Sequence, residues 1–309
     1  MNNLLIVGCG DIALRSIPLL QGHYRLFALV RNSSKAARLR ALGVTPLFAD
    51  MDDRQSMGRI SGIADIVLHF APPNAEHNAR SPLFLTEVLA PFGCKRRAQG
   101  GFALIDTRTR HLLAALSIGK IPRQLVYIST SGVYGDCAGD VVNETRAPNP
   151  ASQRARLRVN AEKQIREWAQ CNQINACILR VPGIYAAERL PLERLRSGAP
   201  AIQAEQDSYT NHIHADDLAR IVVAALRYGK PNRVYHAVDD DEMKMGDYFD
   251  LVADVYQLPH PPRLPRAEVQ STVSPLMWSF MNESRRMSNA RMKKELKVKL
   301  LHSSVKHLR

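Results

Sequence analysis

The chain has 309 residues, 45% apolar and 23% charged, with a formal net charge of +13. It exceeds the usual single-domain size, so one large α/β unit or two lobes with a substantial core is expected. No apolar run approaches the ~20 residues of a membrane span, which argues against a membrane protein. The charge does not point to nucleic acid either: residues 285–309 hold nine Lys/Arg against one acid, Glu295, so +8 of the +13 lies in the tail. That tail has neither aromatic stacking residues nor a recognition helix, and it reads as a solvated basic end. Five cysteines with no C-x-x-C pair argue against a zinc site or disulfide framework and suit a reducing cytosol. With no basic region before NLLIVG, no signal peptide is expected, and the expected location is cytoplasmic.

Leu4–Val7 reads as a strand that runs into Gly8-Cys9-Gly10-Asp11-Ile12-Ala13 and then a helix. This is a G-x-G-x-x-A turn in the context a dinucleotide site requires. Gly8 permits the tight turn, Gly10 lets a pyrophosphate approach the backbone, and small Ala13 lets helix and strand pack closely. The helix N-terminus then supplies N–H donors for phosphate. Leu26–Val30 is the second strand, followed by Arg31-Asn32-Ser33-Ser34-Lys35. NAD sites place an acid here for the ribose 2′-hydroxyl. Arg31, helped by Ser33 or Lys35, suits a 2′-phosphate, so NADP is favoured and NAD is the alternative. The competing reading is an exposed arginine in a βα loop.

Val44–Phe48 is the third strand, with Asp50 placed to meet the adenine and Met51 beside it. Ile66–Phe70 is the fourth, with Ala71 and Pro72 at its end, and Leu125–Ser129 and Ala176–Leu179 are the fifth and sixth. Ser34–Leu42, Thr107–Ser117 and Ser152–Cys171 read as amphipathic helices between them. Strands alternating with helices predict a Rossmann-type, doubly wound parallel sheet. Gly93–Gly101 reads as an exposed loop. Asp106-Thr107-Arg108-Thr109-Arg110 reads as a capped helix start with solvated arginines, a phosphate clamp being the alternative. After Leu179 prolines shorten the elements. Helices at Asp216–Tyr228 and Met245–Tyr256 remain clear, with Met277, Trp278 and Met281 as core packing. The expected division is a dinucleotide-binding domain over 1–180 and a small C-terminal α/β lobe over 181–309, with room for elements of the two to interleave.

Four further segments carry a family resemblance. Ile128-Ser129-Thr130-Ser131-Gly132-Val133-Tyr134-Gly135, Leu179–Tyr185 (LRVPGIY), Asn211–Ala219 (NHIHADDLA) and Tyr235–Asp240 (YHAVDD) occur in this order. Together they resemble the extended short-chain dehydrogenase/reductases of the NAD(P)-dependent epimerase/dehydratase family. The resemblance covers nearly the whole chain. It implies a substrate-orienting role for Thr130, with Ser131 beside it, and cofactor contacts at Ser129, Pro182, Gly183 and Ile184. The family's Tyr-x-x-x-Lys dyad precedes a glutamate that Glu162 matches, which puts Arg154 in the tyrosine position and Arg158 in the lysine position. Arginine stays protonated and cannot relay a proton. Arg158 can still hold a ribose or phosphate, with Arg154 as a second fixed cation. The likeness is therefore to atypical, YeeZ-like members. Tyr134, Tyr185 and Tyr209 are candidates for a displaced phenol, with none preferred.

The resemblance implies an oxidoreductase or epimerase/dehydratase acting on a small anionic metabolite of sugar-nucleotide type. A non-catalytic NADP-binding regulator or scaffold is the alternative, and the oligomeric state stays open. His212-Ile213-His214 with Asp216-Asp217 resembles a metal constellation, but either aspartate is a natural N-cap for the following helix, and no metal is expected.

Overall fold

The computed structural model describes residues 1–74 and 104–307; the Gly93–Gly101 loop lies outside the described residues. The chain begins β1 (Asn2–Val7), α1 (Asp11–Leu20), β2 (Tyr24–Val30), α2 (Ala36–Ala41), β3 (Thr45–Phe48), α3 (Arg54–Met57) and β4 (Ile66–His69). There follow α4 (Thr107–Leu116), β5 (Gln124–Thr130), β6 (Val141–Val142), α5 (Gln153–Cys171), β7 (Asn175–Val181) and β8 (Gly183–Tyr185). Next come α6 (Leu192–Arg196), β9 (Ala201–Ile202), β10 (Tyr209–Thr210), β11 (His212–His214), α7 (Ala215–Tyr228) and β12 (Arg233–His236). The chain closes with β13 (Met243–Lys244), α8 (Met245–Val255), β14 (Arg263–Leu264), α9 (Arg266–Thr272), α10 (Pro275–Met281), β15 (Arg286–Met287) and α11 (Ala290–Leu296). Every strand expected over the first 180 residues is present, to within two residues at either end.

Two compact units form, and the chain passes between them after residues 130, 152, 180, 218 and 235. α5 and most of α7 belong to the first unit, while residues 131–152 already belong to the second.

The first unit is built on a seven-stranded sheet in the order β12-β7-β5-β4-β1-β2-β3, with β1 paired in parallel to both β2 and β4. Leu4, Leu5, Ile6 and Val7 are all fully buried, so helices cover both faces, as an apolar run in a parallel strand requires. On one face Leu5, Val7, Val67, Leu125 and Tyr127 share a core with Leu112, Leu116, Ile165 and Trp168 of α4 and α5. The Trp168 indole N–H donates to Ser117 Oγ at 2.8 Å, satisfying its one polar atom. The sheet order reverses between β1 and β4. At such a switch point loops diverge and leave a crevice beyond the strand carboxyl ends.

The second unit has its own core of Tyr185, Leu195, Ile202, Phe249, Val252, Val269 and Met281, with Met277 and Trp278 packed against it as expected. Its strands form short pairs: β8–β11, β9–β14 and β6–β15 are parallel, and β10–β13 is antiparallel. The basic tail is not simply solvated. Arg285 is buried, Arg291 lies 3.5 Å from Glu144, and Lys293 pairs with Asp240. Long-range carboxylates absorb charges that look unopposed in the local sequence. Among the described residues, Cys9, Cys137 and Cys177 are free thiols.

Candidate functional site

The glycine turn has the form its sequence requires. Gly8 sits at φ +97°, and a Cβ there would stand 2.4 Å from the Ala71 nitrogen. That closeness arises because the Phe70 and Ala71 N–H groups both donate to the Val7 carbonyl, at 2.7 and 3.0 Å. Nothing lies within 4 Å of where a Cβ on Gly10 would be, so its backbone is open to approach. Ile12 and Ala13 are buried, and Asp11 forms an i,i+4 ion pair with Arg15 at 2.9 Å. Cys9 is inert at neutral pH, since burial raises its thiol to about 11 against the opposing charge of Lys35. This turn fits the diphosphate of a dinucleotide: open backbone at Gly10, a helix start, and no side chain at Gly8 to block the bend.

The other expected cofactor residues stand at the carboxyl ends of neighbouring strands. Arg31, Asn32 and Ser33 follow β2 and are exposed. Arg31 makes no hydrogen bond or ion pair within the described residues, while Asn32 Oδ1 accepts from Ser34 Oγ at 2.8 Å. After β3, Asp50 shapes its own turn: its Oδ1 accepts the Asp52 N–H at 3.0 Å, and its N–H donates to Ser56 Oγ. Met51 is buried, with its carbonyl 2.8 Å from His111 Nδ1. Ala71 and Pro72 follow β4.

Arg108 corrects the expectation of solvated arginines. Its guanidinium bonds Asp52 through two nitrogens, at 2.9 and 2.5 Å, and reaches the Pro72 carbonyl at 3.1 Å. It is a brace between the loops that follow β3 and β4. Asp106 does cap α4, accepting the Arg108 N–H at 3.2 Å.

At the end of β5 the family-like positions come together. Glu162 is buried, accepting from Ser129 Oγ at 2.6 Å and from Arg180 Nη2 at 2.7 Å and Nε at 3.1 Å. One turn earlier on α5, Arg158 Nη1 donates to the Tyr127 hydroxyl at 3.0 Å and to the Ile128 carbonyl at 2.6 Å. Its guanidinium carbon lies 5.6 Å from the Tyr127 ring centroid. Arg158 is thus fixed by one nitrogen against β5, while its Nε and Nη2 make no bond within the described residues. Arg154 lies on the same helical face and is exposed; Arg156 is exposed as well. Nothing in the sequence singles out Tyr127. Burial pushes its hydroxyl well above the usual phenol range, against the lowering effect of Arg158, so it is no base at neutral pH. Thr130 closes β5 and is partly exposed.

Within the second unit, Ser131 is buried with its Oγ 3.4 Å from Arg285 Nη2. Pro182, Gly183 and Ile184 lie at and just before β8, with Gly183 exposed. Of the candidate phenols, Tyr134 is bonded to His236 Nε2 at 2.6 Å, Tyr185 is buried, and Tyr209 is flanked by Arg286 and Lys244. The two histidines of the His-x-His pair part company: His212 stacks on Tyr248 at 4.2 Å and His214 on His302 at 3.7 Å. Neither aspartate is the N-cap of α7. The helix begins one residue earlier than expected, so His214 holds that position and its Nδ1 accepts the Asp216 N–H at 3.2 Å. The Asp217 carboxylate instead receives the N–H groups of Leu301 and His302. Ligand-capable atoms of His214, Asp216 and His302 lie within 4.8 Å of one another, a grouping that does not include His212.

Residues 107–237 match the NAD dependent epimerase/dehydratase family. GDP-6-deoxy-D-mannose reductase of Pseudomonas aeruginosa is 24% identical over 52% of this chain and 59% of its own length. dTDP-D-glucose 4,6-dehydratase of Bos taurus is 21% identical over 63% of this chain and 52% of its own. The matched stretch thus spans little more than half of these relatives. Among solved structures, a functionally unknown conserved protein from Silicibacter pomeroyi is 26% identical with a TM-score of 0.72, covering 99% of this chain and 96% of that one. UDP-glucuronic acid 4-epimerase from Bacillus cereus, in complex with UDP-glucuronic acid and NAD, has a TM-score of 0.70 at 17% identity, covering 97% and 95%. At that identity the likeness is one of fold. Among the described residues, no helix is long and apolar enough to cross a membrane.

Proposed function

Starting from a chain whose residues 107–237 match the NAD dependent epimerase/dehydratase family, we propose an NADP(H)-binding enzyme of that type, acting on a small anionic metabolite of the sugar-nucleotide class. The observation that carries this reading is Arg158, pinned by Nη1 to Tyr127 and the Ile128 carbonyl, with no bond to Nε or Nη2 among the described residues. Glu162 stands four residues on, locked to Ser129 and Arg180, so the position that lysine fills in the family holds a fixed cation here.

Gly8, Gly10 and the start of α1 take the diphosphate, and Arg31 with Ser33 or Lys35 takes the 2′-phosphate. Asp50, Met51, Ala71 and Pro72 line the adenosine side. Ser129 and Arg158 hold the ribose next to the nicotinamide. The nicotinamide, when bound, supplies hydride exchange. Thr130 and Ser131 orient the substrate oxygen through their hydroxyls. Arg154 and Arg158 stabilise negative charge on substrate or cofactor and move no proton, since a guanidinium keeps its own throughout the working pH range. The test is calorimetric titration with NADP and NAD. Arg31→Asp is expected to weaken NADP at least about tenfold, or about 1.4 kcal/mol, and to spare NAD. Unchanged NADP affinity would remove the 2′-phosphate assignment.

A second reading, a non-catalytic NADP-binding regulator, is favoured by one specific observation. Arg154 occupies the tyrosine position, and the nearest phenol to Arg158, Tyr127, is fully buried. Cofactor-dependent turnover of a sugar nucleotide that Thr130→Ala abolishes would eliminate it.

A further inference from the structure

Three side chains of the second unit bury polar atoms that have no hydrogen-bonding partner among the described residues: the Tyr185 hydroxyl, His212 Nδ1 and Asp239 Oδ2. Tyr185 is 1% exposed, Asp239 3% and His212 5%. All three lie on adjoining pieces of chain. β8 and β11 run side by side, His212 opposite Gly183 and His214 opposite Tyr185. The Asp239 N–H donates to the His212 carbonyl at 2.8 Å. The Tyr185 and His212 rings meet edge-on, centroids 6.3 Å apart, and Tyr248 stacks on His212. A side chain at position 183 would press on the imidazole, since a Cβ there would stand 3.1 Å from His212 Cδ2.

Leaving one buried polar atom unmet costs about 1–3 kcal/mol, and native interiors rarely do so. The three residues adjoin one another, and their chemistry limits what a partner shared by these atoms would be. Burial pushes the Asp239 carboxyl up to about 8 and the His212 imidazole down to about 3, and it raises the Tyr185 hydroxyl as well. Burial thus disfavours the charged form of all three groups, which suits a neutral partner better than a cation or an anion. A phenol both donates and accepts, a neutral imidazole nitrogen does one or the other, and a protonated carboxyl offers a donor. The matching group is one oxygen that also gives and takes.

We propose that Tyr185, His212 and Asp239 form an internal binding site for a single hydroxyl oxygen, contributed by a water molecule or by a hydroxyl-bearing ligand. The site stands independently of the proposed function. Thermal unfolding of Tyr185→Phe, Asp239→Ala and the double variant provides the first test. If the site binds a shared oxygen, Tyr185→Phe lowers Tm by about 2–4 °C or more, and the double variant loses less than the sum of the singles. If the hydroxyl is merely unmet, its removal raises Tm and the two effects add, which overturns the proposal. Crystals of the unaltered protein, grown alone and with UDP-glucose, decide it even if the variants fail to fold. An oxygen bonded to at least two of the three groups in ligand-free crystals assigns water. The same oxygen found only with UDP-glucose assigns a ligand hydroxyl. Absence of that oxygen from both crystals rejects the site.

Discussion

Glu162 holds together more of the first unit's polar interior than any neighbouring side chain on α5. Its carboxylate and the Arg180 guanidinium are each 4% exposed, and both oxygens are in use. A buried pair of this kind adds little net stability over an apolar pair, but breaking it strands a charge. Glu162→Ala is therefore expected to lose about 3–5 kcal/mol in urea denaturation, with Glu162→Gln losing less. Arg158, one turn away, is expected to answer differently, because its Nε and Nη2 make no bond among the described residues. Arg158→Ala is expected to raise the NADP dissociation constant about 10- to 100-fold, the range of one charge-assisted hydrogen bond, as calorimetry would read it. Its effect on Tm should be smaller than that of Glu162→Ala. If the two variants lose stability alike and affinity not at all, Arg158 is structural.

The helices are stabilised by what they bury and by how they begin. α5 places Ala161, Ile165 and Trp168 on one face at helical spacing, and α4 meets it with Leu112 and Leu116. Trp168→Ala is expected to cost about 3–5 kcal/mol, visible as a lowered urea midpoint with no change in Arg158 chemistry. Such periodicity is local, which is why the strands and helices of this unit are legible from the chain alone. The glycine turn is legible for the same reason, since its steric demands fall within six consecutive residues. Arg108 is not, because its partner Asp52 lies 56 residues away and no spacing rule connects them. Tyr127 is hidden too: in sequence it is one more apolar position of β5, and only the fold sets Arg158 against it. The His212–His214 pair misleads because alternation along a strand says which side chains share a face, not what each will stack upon.

For the molecule as a whole, Asp239 gives pH a handle on stability. Its carboxyl, with an ordinary value of 3.8, is raised to about 8 in the fold, chiefly by burial. Between those values the folded chain binds a proton that the unfolded chain has released. Stability from this group is therefore complete below pH 3.8 and declines as pH rises, until it is lost above about 8. The slope is up to about 1.4 kcal/mol per pH unit. Denaturant titrations from about pH 5 to 9 should show this decline in the parent protein and a flatter profile in Asp239→Asn; parallel profiles would exclude the carboxyl as its source. The five passages of the chain between the two units have a consequence at the level of the gene. Neither unit corresponds to one contiguous reading frame, so a truncation after codon 180 would omit β12 and most of α7 from the first unit and all but residues 131–152 of the second. Modular exchange of either unit between relatives would require several splices, whereas substitutions within the loops at the strand ends require none.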